Sequence, residues 1–164
     1  MELVDILNER KEKTGKVCDR YSIKDGEYRL SVHIWIMNEK NEILLQKRNK
    51  NLRMYPNMWG NTGGAVRMGE SSLEAIKREV KEELGLTIQE KSLNFIASFK
   101  RKRDFVDVWF LRDNININDV KLQKDEVEDI KFISYELFNK MYAEGKIIKS
   151  STEYFKMYID EYLE

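Results

Sequence analysis

The segment from Ser71 to Gly85 constrains the fold most, because it carries the signals for both ends of one amphipathic helix. Ser71 and Glu74 have the spacing of a capping box, and Gly85 stands where a glycine commonly ends a helix. Apolar residues recur between them at helical spacing and form one stripe: Leu73, Ile76, Val80 and Leu84. We therefore expect a helix over 71–84 whose apolar stripe faces the core.

Apolar runs and alternating patterns on both sides of this helix predict strands. The expected strands are Leu3–Leu7, 31–37, 43–47, Leu93–Lys100, 105–112 and Val127–Ile133. A polar, turn-prone stretch through Gly15 and Gly26 separates the first two. Two more helices are expected, over Tyr135–Ala143 and 152–163. Strands interleaved with helices in this order favour an α/β (α+β) fold, with a mixed central sheet covered on both faces.

The chain of 164 residues has one proline, Pro56, and no linker rich in proline, glycine or serine. We expect a single domain over 1–164, with a strand-and-turn extension over 1–28 and a C-terminal helix over 150–164. The aromatic residues of that last helix are expected to pack within the chain, and packing on a second subunit in a homodimer is the alternative.

Charge and cysteine content exclude several classes of protein. Lysine plus arginine equals aspartate plus glutamate at 29 each, which argues against a nucleic-acid partner bound through bulk charge. Cys18 is the only cysteine, so no intrachain disulfide can form and a reducing compartment fits. No signal peptide or membrane-spanning stretch is expected, and the protein is interpreted as cytoplasmic.

Two glutamates one helical turn apart, Glu79 and Glu83, lie beside the apolar stripe, with Glu82 close by. Carboxylates at this spacing repel each other. Arg78 can pair with Glu82, whereas Glu79 and Glu83 have no basic residue three or four positions away. A solvated acidic face is one interpretation. The other is a divalent cation, because hard cations such as Mg²⁺ prefer oxygen ligands.

The residues before this helix favour the cation. Gly63-Gly64 allows the backbone to approach an ion or ligand closely. From Gly64 the chain has five residues, then Glu70, then seven residues, then the run REVKEELGL over 78–86. This run matches the Nudix box at every specified position, and at ordinary residue frequencies a chance match is rarer than roughly one in a million. The chain therefore resembles the Nudix hydrolases.

The resemblance implies an α/β/α sandwich that binds Mg²⁺ or Mn²⁺ and hydrolyses a diphosphate linkage, in many members that of a nucleoside diphosphate derivative. By position, Glu79, Glu82 and Glu83 would be the metal carboxylates, and the Gly63 carbonyl a further ligand. Glu79 is alternatively the residue that holds the attacking water. The resemblance does not fix the number of metal ions or the identity of the general base.

The resemblance also implies supporting residues. Arg78 and Glu70 would form an ion pair that fixes the helix against the preceding loop. Many members add a base or ligand from outside the box; Glu126 is the first candidate here and Glu128 the second. A simple acidic turn is the competing interpretation of residues 124–128.

Three further segments, over 33–38, 44–48 and 55–60, resemble the branch nearest the isopentenyl-diphosphate isomerases. Those isomerases use a cysteine just before the box and histidines around the metal, and residues 61–66 contain neither. Cys18 is interpreted as an ordinary free thiol, and His33 as a packed, hydrogen-bonded residue. Isomerase activity, which needs a positioned acid and base, is therefore disfavoured.

Substrate phosphates are expected to contact Lys47, Arg48 and the backbone at Gly64, since lysine and arginine both bind phosphate. The basic run over 100–103 is a second candidate, and a solvated hairpin tip is the alternative in each case. The sequence thus predicts a magnesium-dependent hydrolase acting on a small diphosphate compound. The rival functions are those of a prenyl-diphosphate isomerase, a non-catalytic nucleotide-binding module and an RNA-end-processing enzyme.

Overall fold

The computed structural model describes residues 1–164 and contains nine strands and three helices. The strands are β1 (Leu3–Leu7), β2 (Lys13–Asp19), β3 (Arg29–Met37), β4 (Ile43–Arg48), β5 (Trp59–Gly60), β6 (Thr62–Ala65), β7 (Leu93–Lys100), β8 (Asp104–Arg112) and β9 (Val127–Ile133). The helices are α1 (Ser72–Leu84), α2 (Tyr135–Ala143) and α3 (Lys149–Lys156). None of the three is both long and apolar enough to cross a membrane.

The main sheet is mixed, as the sequence predicts. Strand β3 runs parallel to β8 along its whole length, and β7 pairs antiparallel with the far edge of β8. On its other side β3 meets β4 only at Met37 and Ile43, after which β6 takes the place beside β3. Strands β5 and β9 pair with β4. The sheet therefore opens between β3–β6 and β4–β5, and the Thr62 hydroxyl donates to Gln46 Oε1 across this opening at 2.9 Å.

Helix α1 covers one face of the sheet and helices α2 and α3 cover the other. The α1 layer contains Ala75, Ile76, Val80 and Leu84 packed against Val32, Ile34 and Ile36. The α2/α3 layer contains Phe138, Met141, Phe155 and Ile159 packed against Trp35, Met37 and the alternate residues of β8. Because neighbouring residues of a strand point to opposite faces, the odd-numbered residues of β3 belong to the second layer.

The predicted ends of helix α1 are confirmed. The Ser71 side chain accepts a hydrogen bond from the Glu74 backbone N–H at 3.1 Å. Gly85 lies in the left-handed region at φ 70°, and its N–H donates to the Lys81 carbonyl. Of the predicted apolar stripe, three residues are fully buried, whereas Leu73 is only half-buried and Ala75 takes its place in the core.

Two expectations about the secondary structure are wrong. The polar stretch after β1 contains strand β2, whose residues are mostly exposed and so lack apolar alternation. The C-terminal helix is broken: α3 ends at Lys156, and a 3₁₀ turn follows at Ile159–Glu161. Its aromatic residues nevertheless pack within the chain, and Phe155 stacks on Trp35 with 4.4 Å between the ring centroids.

Candidate active site

Strand β6 and helix α1 meet where the glycine pair faces the acidic side of the helix. A Cβ atom on Gly64 would lie 2.2 Å from Glu79 Oε1, so the Glu79 carboxylate occupies the space that a side chain at position 64 would need. Both Glu79 and Glu83 are buried, at 8% and 5% exposure. A solvated acidic face, the alternative interpretation of these residues, is therefore absent at these two positions.

Arg78 uses all five of its N–H groups. Nε and Nη2 donate to the two oxygens of Glu70 at 2.7 and 2.9 Å, and Nη2 also donates to the Ala65 carbonyl at 2.9 Å. Nη1 donates to Glu79 at 2.8 Å and to Glu82 at 3.2 Å. The predicted pair with Glu70 is present, and it fixes α1 to the loop before it.

Glu79 has no basic residue three or four positions away, as the sequence shows, but it gains an ion pair with the adjacent Arg78. The Arg78 side chain curls back along the helix and reaches the carboxylate of its own neighbour in sequence, which helical spacing rules do not anticipate. Glu82, by contrast, is exposed and divides its oxygens between Arg78 and Arg67, the latter at 3.4 Å. Of the three helix carboxylates, only Glu83 lacks an ion pair.

Burial raises the pKa values of the two buried carboxylates, Glu79 and Glu83. It raises the pKa of Glu79 to about 7, with Arg78 opposing this effect and the charges of Glu82 and Glu126 adding to it. Burial, followed by the charges of Glu79 and Glu126, raises the pKa of Glu83 well above its usual range, although Gln46 and Arg48 oppose the shift. Oε2 of Glu83 is buried with no hydrogen-bond partner. An uncompensated buried carboxylate oxygen costs free energy unless a cation or donor meets it.

Glu126 approaches this pair from outside the helix. It lies exposed in the turn before β9, and its backbone carbonyl accepts a hydrogen bond from the Asn49 N–H at 2.9 Å. Its charge acts on both Glu79 and Glu83. Glu128, the second candidate, instead faces Lys47, with 3.7 Å between the charged atoms. A bulge in the pairing of β4 with β9 separates the two glutamates.

The two predicted phosphate-binding side chains of β4 point to opposite faces of the sheet. Leu44 belongs to the α1 layer and Leu45 to the α2/α3 layer, so Arg48 shares the face of the carboxylates and Lys47 does not. Arg48 Nε donates to the Met54 carbonyl at 2.9 Å, which ties it to the loop over 49–58. Only Arg48 of these two is brought to the carboxylates.

No three carboxylate, imidazole or thiol groups form a preassembled metal cage. Arg78 binds both Glu79 and Glu82, and the side chains of Glu79, Glu82 and Glu83 do not form such a cage. The donors nevertheless fit a hard divalent cation, because they are carboxylate oxygens, one of which is buried and has no partner.

Residues that the rival isomerase chemistry would need lie elsewhere. Cys18 is half-buried in β2, with its thiol donating to the Asp19 carbonyl at 3.2 Å. His33 lies on the α2/α3 face, and burial, together with the charge of Arg101, lowers its pKa to about 3. His33 is packed as expected, but the expectation that it is hydrogen-bonded is wrong for Nδ1, which is buried without a partner.

Basic residues of the run over 100–103 contact other residues of the chain and so stabilise the fold. Lys100 Nζ lies over the Tyr28 ring, 5.0 Å from its centroid, and Arg103 binds the Ile23 carbonyl and Asp25. Sequence reasoning missed Gln46 and Thr62, the buried polar pair across the opening in the sheet. The available signal was a glutamine that directly follows the apolar run over 43–45.

Comparison with known proteins places this geometry in context. The family model described as the NUDIX domain matches residues 27–152. A protein of Listeria innocua described as an uncharacterized Nudix hydrolase is 38% identical over 150 residues, which cover 90% of this chain and 89% of that protein.

Two solved structures share the fold. The crystal structure of DR0079 from Deinococcus radiodurans superposes with a TM-score of 0.79 and 23% identity, covering 96% of this chain and 99% of that one. A bifunctional NMN adenylyltransferase/ADP ribose pyrophosphatase from Francisella tularensis, complexed with AMP and a manganese ion, gives a TM-score of 0.65 at 17% identity, covering 82% of this chain and 42% of that one. The α/β arrangement predicted from the sequence is thus confirmed.

Proposed function

Since this chain belongs to the Nudix hydrolase family, we propose that it hydrolyses the diphosphate linkage of a small organic or nucleoside diphosphate derivative at the buried face of α1, with Mg²⁺ as its cofactor. One observation carries this proposal: Glu79 and Glu83 are both buried one helical turn apart, Glu79 lies against Gly64, and Oε2 of Glu83 has no partner. The cost of such burial is offset when a cation and substrate oxygens fill the space.

Glu79 and Glu83 would hold the cation, with Glu82 and the Gly63 carbonyl completing the set. When bound, a divalent cation polarises the phosphoryl group and lowers the pKa of bound water. Mn²⁺ has the same preference for oxygen ligands and is the expected substitute. Loading requires Glu79 and Glu82 to release the Nη1 group of Arg78, which keeps its two hydrogen bonds to Glu70.

Glu126 is the proposed general base. It is exposed, its charge acts on both inner glutamates, and it approaches from a different element than α1. In the proposed step a water oxygen forms a bond to phosphorus while the bridging P–O bond breaks and its electron pair leaves with the departing phosphate. The proton of the water passes to the Glu126 carboxylate. Arg48, on the same face, would neutralise phosphate charge.

The rival functions lack support from specific side chains. Isomerase chemistry needs a proton donor at a carbon atom, and the only cysteine and the only histidine both lie away from the carboxylates. A non-catalytic binding module would not need Glu70, Arg78, Glu79 and Glu83 held in their present arrangement. With one free thiol and no disulfide, the chain suits a reducing compartment, and we place it in the cytoplasm.

A screen of diphosphate compounds with Mg²⁺ tests the proposal, with Glu83→Gln compared against wild type. We expect Glu83→Gln to lower kcat/KM at least about a hundredfold for any compound that wild type hydrolyses, because one lost ligand removes several kcal/mol of transition-state stabilisation. Glu74→Gln is the matched control, since Glu74 is an exposed glutamate on the same helix. Equal rates for wild type and Glu83→Gln would show that hydrolysis occurs elsewhere.

A further inference from the structure

The segment that leads to Glu126 is anchored to the end of α1. The last carbonyl groups of an α-helix have no partner within the helix and need one elsewhere. Here the Glu83 carbonyl accepts a hydrogen bond from the Gln123 N–H at 3.1 Å, and the Leu84 carbonyl accepts one from the Lys121 N–H at 2.9 Å. The segment before Glu126 is therefore fixed to the same helical turn that carries the Glu83 carboxylate.

The turn over 124–126 itself is held only through its backbone. The N–H groups of Glu126 and Val127 both donate to the Gln123 carbonyl, at 2.9 and 2.8 Å. All three residues of the turn are exposed, and their side chains form no hydrogen bond or ion pair with the rest of the chain. The position of the Glu126 carboxylate therefore depends on how this backbone is held.

Asn49, the residue directly after β4, holds the turn from its other side. Its backbone N–H donates to the Glu126 carbonyl at 2.9 Å, and its side-chain Nδ2 donates to the Lys124 carbonyl at 2.7 Å. Its Oδ1 accepts a hydrogen bond from the Asn51 N–H at 2.8 Å. An asparagine amide has both donors and an acceptor, so this one side chain binds the turn with its nitrogen and its own loop with its oxygen.

A bulge in β9 brings Asn49 to this position. Arg48 pairs with Val127, whereas the residue before Arg48 pairs with Asp129, so Glu128 is an extra residue on β9. Bulges change the direction of side chains and are frequent next to active sites. The hydrogen bonds between the two segments resume at Asn49, directly after the side chain that is proposed to bind phosphate. Asn49 thus connects the end of β4 to the turn that carries the proposed general base.

We propose that Asn49 is a positioning residue for hydrolysis, which holds the Glu126 carboxylate at a fixed distance from the carboxylates of α1. This inference rests on the proposed function, in which Glu126 takes the proton of the attacking water. A general base must lie within hydrogen-bond reach of that water, at about 2.6–3.2 Å. A displacement of about 1 Å can lower a rate about a hundredfold. An exposed turn with no side-chain contacts of its own needs such a clamp.

Hydrogen exchange followed by NMR tests whether Asn49 holds the turn, in metal-free protein and without catalysis. In Asn49→Ala we expect the N–H groups of Glu126 and Val127 to exchange at least about tenfold faster than in wild type, because the turn opens more often. The amides of α2 should keep their rates. Asn51→Ala, at an exposed position two residues along the chain, is the control and should match wild type. Unchanged exchange at Glu126 and Val127 overturns the proposal.

Kinetics on a hydrolysed diphosphate compound give a second readout. We expect Asn49→Ala to lower kcat about tenfold while KM stays within about twofold, the pattern of an interaction that acts only in the transition state. Asn49→Asp keeps an acceptor for the Asn51 N–H but has no donor for the Lys124 carbonyl, and it should lower kcat to a similar extent. The two variants share only the loss of that donor. A wild-type kcat in Asn49→Asp overturns the proposal, and Asn51→Ala should change neither constant.

A double variant shows whether Asn49 acts through Glu126. Glu126→Gln alone should lower kcat at least about a hundredfold, the contribution of a general base. Adding Asn49→Ala to Glu126→Gln should then change kcat by less than about twofold, because residues that act together are not additive. A tenfold loss in both backgrounds, which a general structural role would give, overturns the proposal. So does an undiminished kcat in Glu126→Gln.

The outcomes separate this inference from the proposed function. An unchanged kcat in Asn49→Ala, with hydrolysis abolished in Glu83→Gln, overturns positioning by Asn49 and leaves the proposed function standing. Hydrolysis that is indifferent to Glu83→Gln contradicts the proposed function. The exchange rates at Glu126 and Val127 then still decide whether Asn49 holds the turn.

Discussion

Glu70 lies just before the first turn of α1 and Glu83 lies in its last turn, and the surroundings of these two carboxylates differ in opposite directions. Glu70 meets the guanidinium of Arg78 through both oxygens, and although burial acts to raise its pKa, Arg78 and the Arg67 backbone N–H bring that pKa below its usual value. Glu83 is more deeply buried, has no ion pair, and its pKa is raised. Arg78 compensates the buried charge of Glu70, whereas no basic group in the chain pairs with Glu83.

This difference indicates that Glu70 has a structural role and that Glu83 has a functional one. A paired carboxylate stabilises the folded chain at neutral pH, because its ionised form is favoured there. An unpaired buried carboxylate destabilises the metal-free chain and gains most from a cation. Such strongly perturbed groups cluster at functional sites. Arg78 connects the two conditions, since it binds Glu70 with one side of its fork and Glu79 with the other.

Breaking the paired side should have the largest effect. We expect Arg78→Gln to lower the free energy of unfolding by about 3–5 kcal/mol without divalent cations, because it leaves Glu70 and Glu79 as unpaired, mostly buried charges. Urea denaturation measures this loss. Lys81→Gln, an exposed position on the same helix, is the control and should stay within about 0.5 kcal/mol. A loss below about 1 kcal/mol for Arg78→Gln would contradict the assignment of a structural role.

The stability of the folded chain should depend on pH through the buried Glu79. The pKa of Glu79 is raised to about 7 in the folded chain, so the folded state binds the more protons between about pH 4.5 and 7 and stability falls as pH rises through this window. His33 acts oppositely: its folded pKa of about 3 makes stability rise with pH up to about 6.5. The difference between wild type and Glu79→Gln removes the histidine contribution.

Relative to Glu79→Gln, we expect the free energy of unfolding of wild type to fall by on the order of 2 kcal/mol from pH 5 to pH 8, since each pKa unit corresponds to about 1.4 kcal/mol. Chemical denaturation in the presence of a chelator measures it. Glu70 does not contribute in this window, because a carboxylate with a lowered pKa is ionised throughout. A difference that is constant with pH would show that Glu79 is not perturbed by burial.

A smaller change sharpens the role of the glycine pair. In Gly64→Ala the new methyl group would overlap the Glu79 carboxylate, which must move. We expect hydrolysis to fall about tenfold, equivalent to about 1.4 kcal/mol of activation free energy. Gly60→Ala is the matched control, because its Cβ would meet only the flexible end of Ile148 at 3.2 Å. Equal rates for both variants would mean that the position of Glu79 does not matter.

Local patterns in the sequence predicted what local spacing controls. The caps of α1 and most of its apolar face follow from residues close together in the chain, whereas the pair between Arg78 and Glu70 was implied by the family resemblance. The contact from Arg78 to Glu79 was not predictable, because adjacent side chains on a helix do not normally face each other. Gln46 was missed for the same reason: its partner Thr62 comes from a strand sixteen residues away and reaches it only after the sheet divides.

Strand alternation decided a further part of the site. Arg48 and Lys47 look equivalent as phosphate ligands in the sequence, but adjacent strand residues face opposite sides, and only the register of β4 shows which one accompanies the carboxylates. The break after α3 was hidden because Phe155 and Ile159 keep an apolar spacing that a continuous helix would also show.

Titration calorimetry with Mn²⁺ tests the central claim most directly: the two buried glutamates of α1, unlike the paired Glu70, are there to hold a cation. Wild type, Glu79→Gln, Glu83→Gln and the exposed control Glu74→Gln are compared at pH 8. We expect affinity to fall at least about tenfold in Glu79→Gln and Glu83→Gln, about 1.4 kcal/mol of binding free energy, and to stay unchanged in Glu74→Gln. Equal Mn²⁺ affinity in all four proteins would contradict the account.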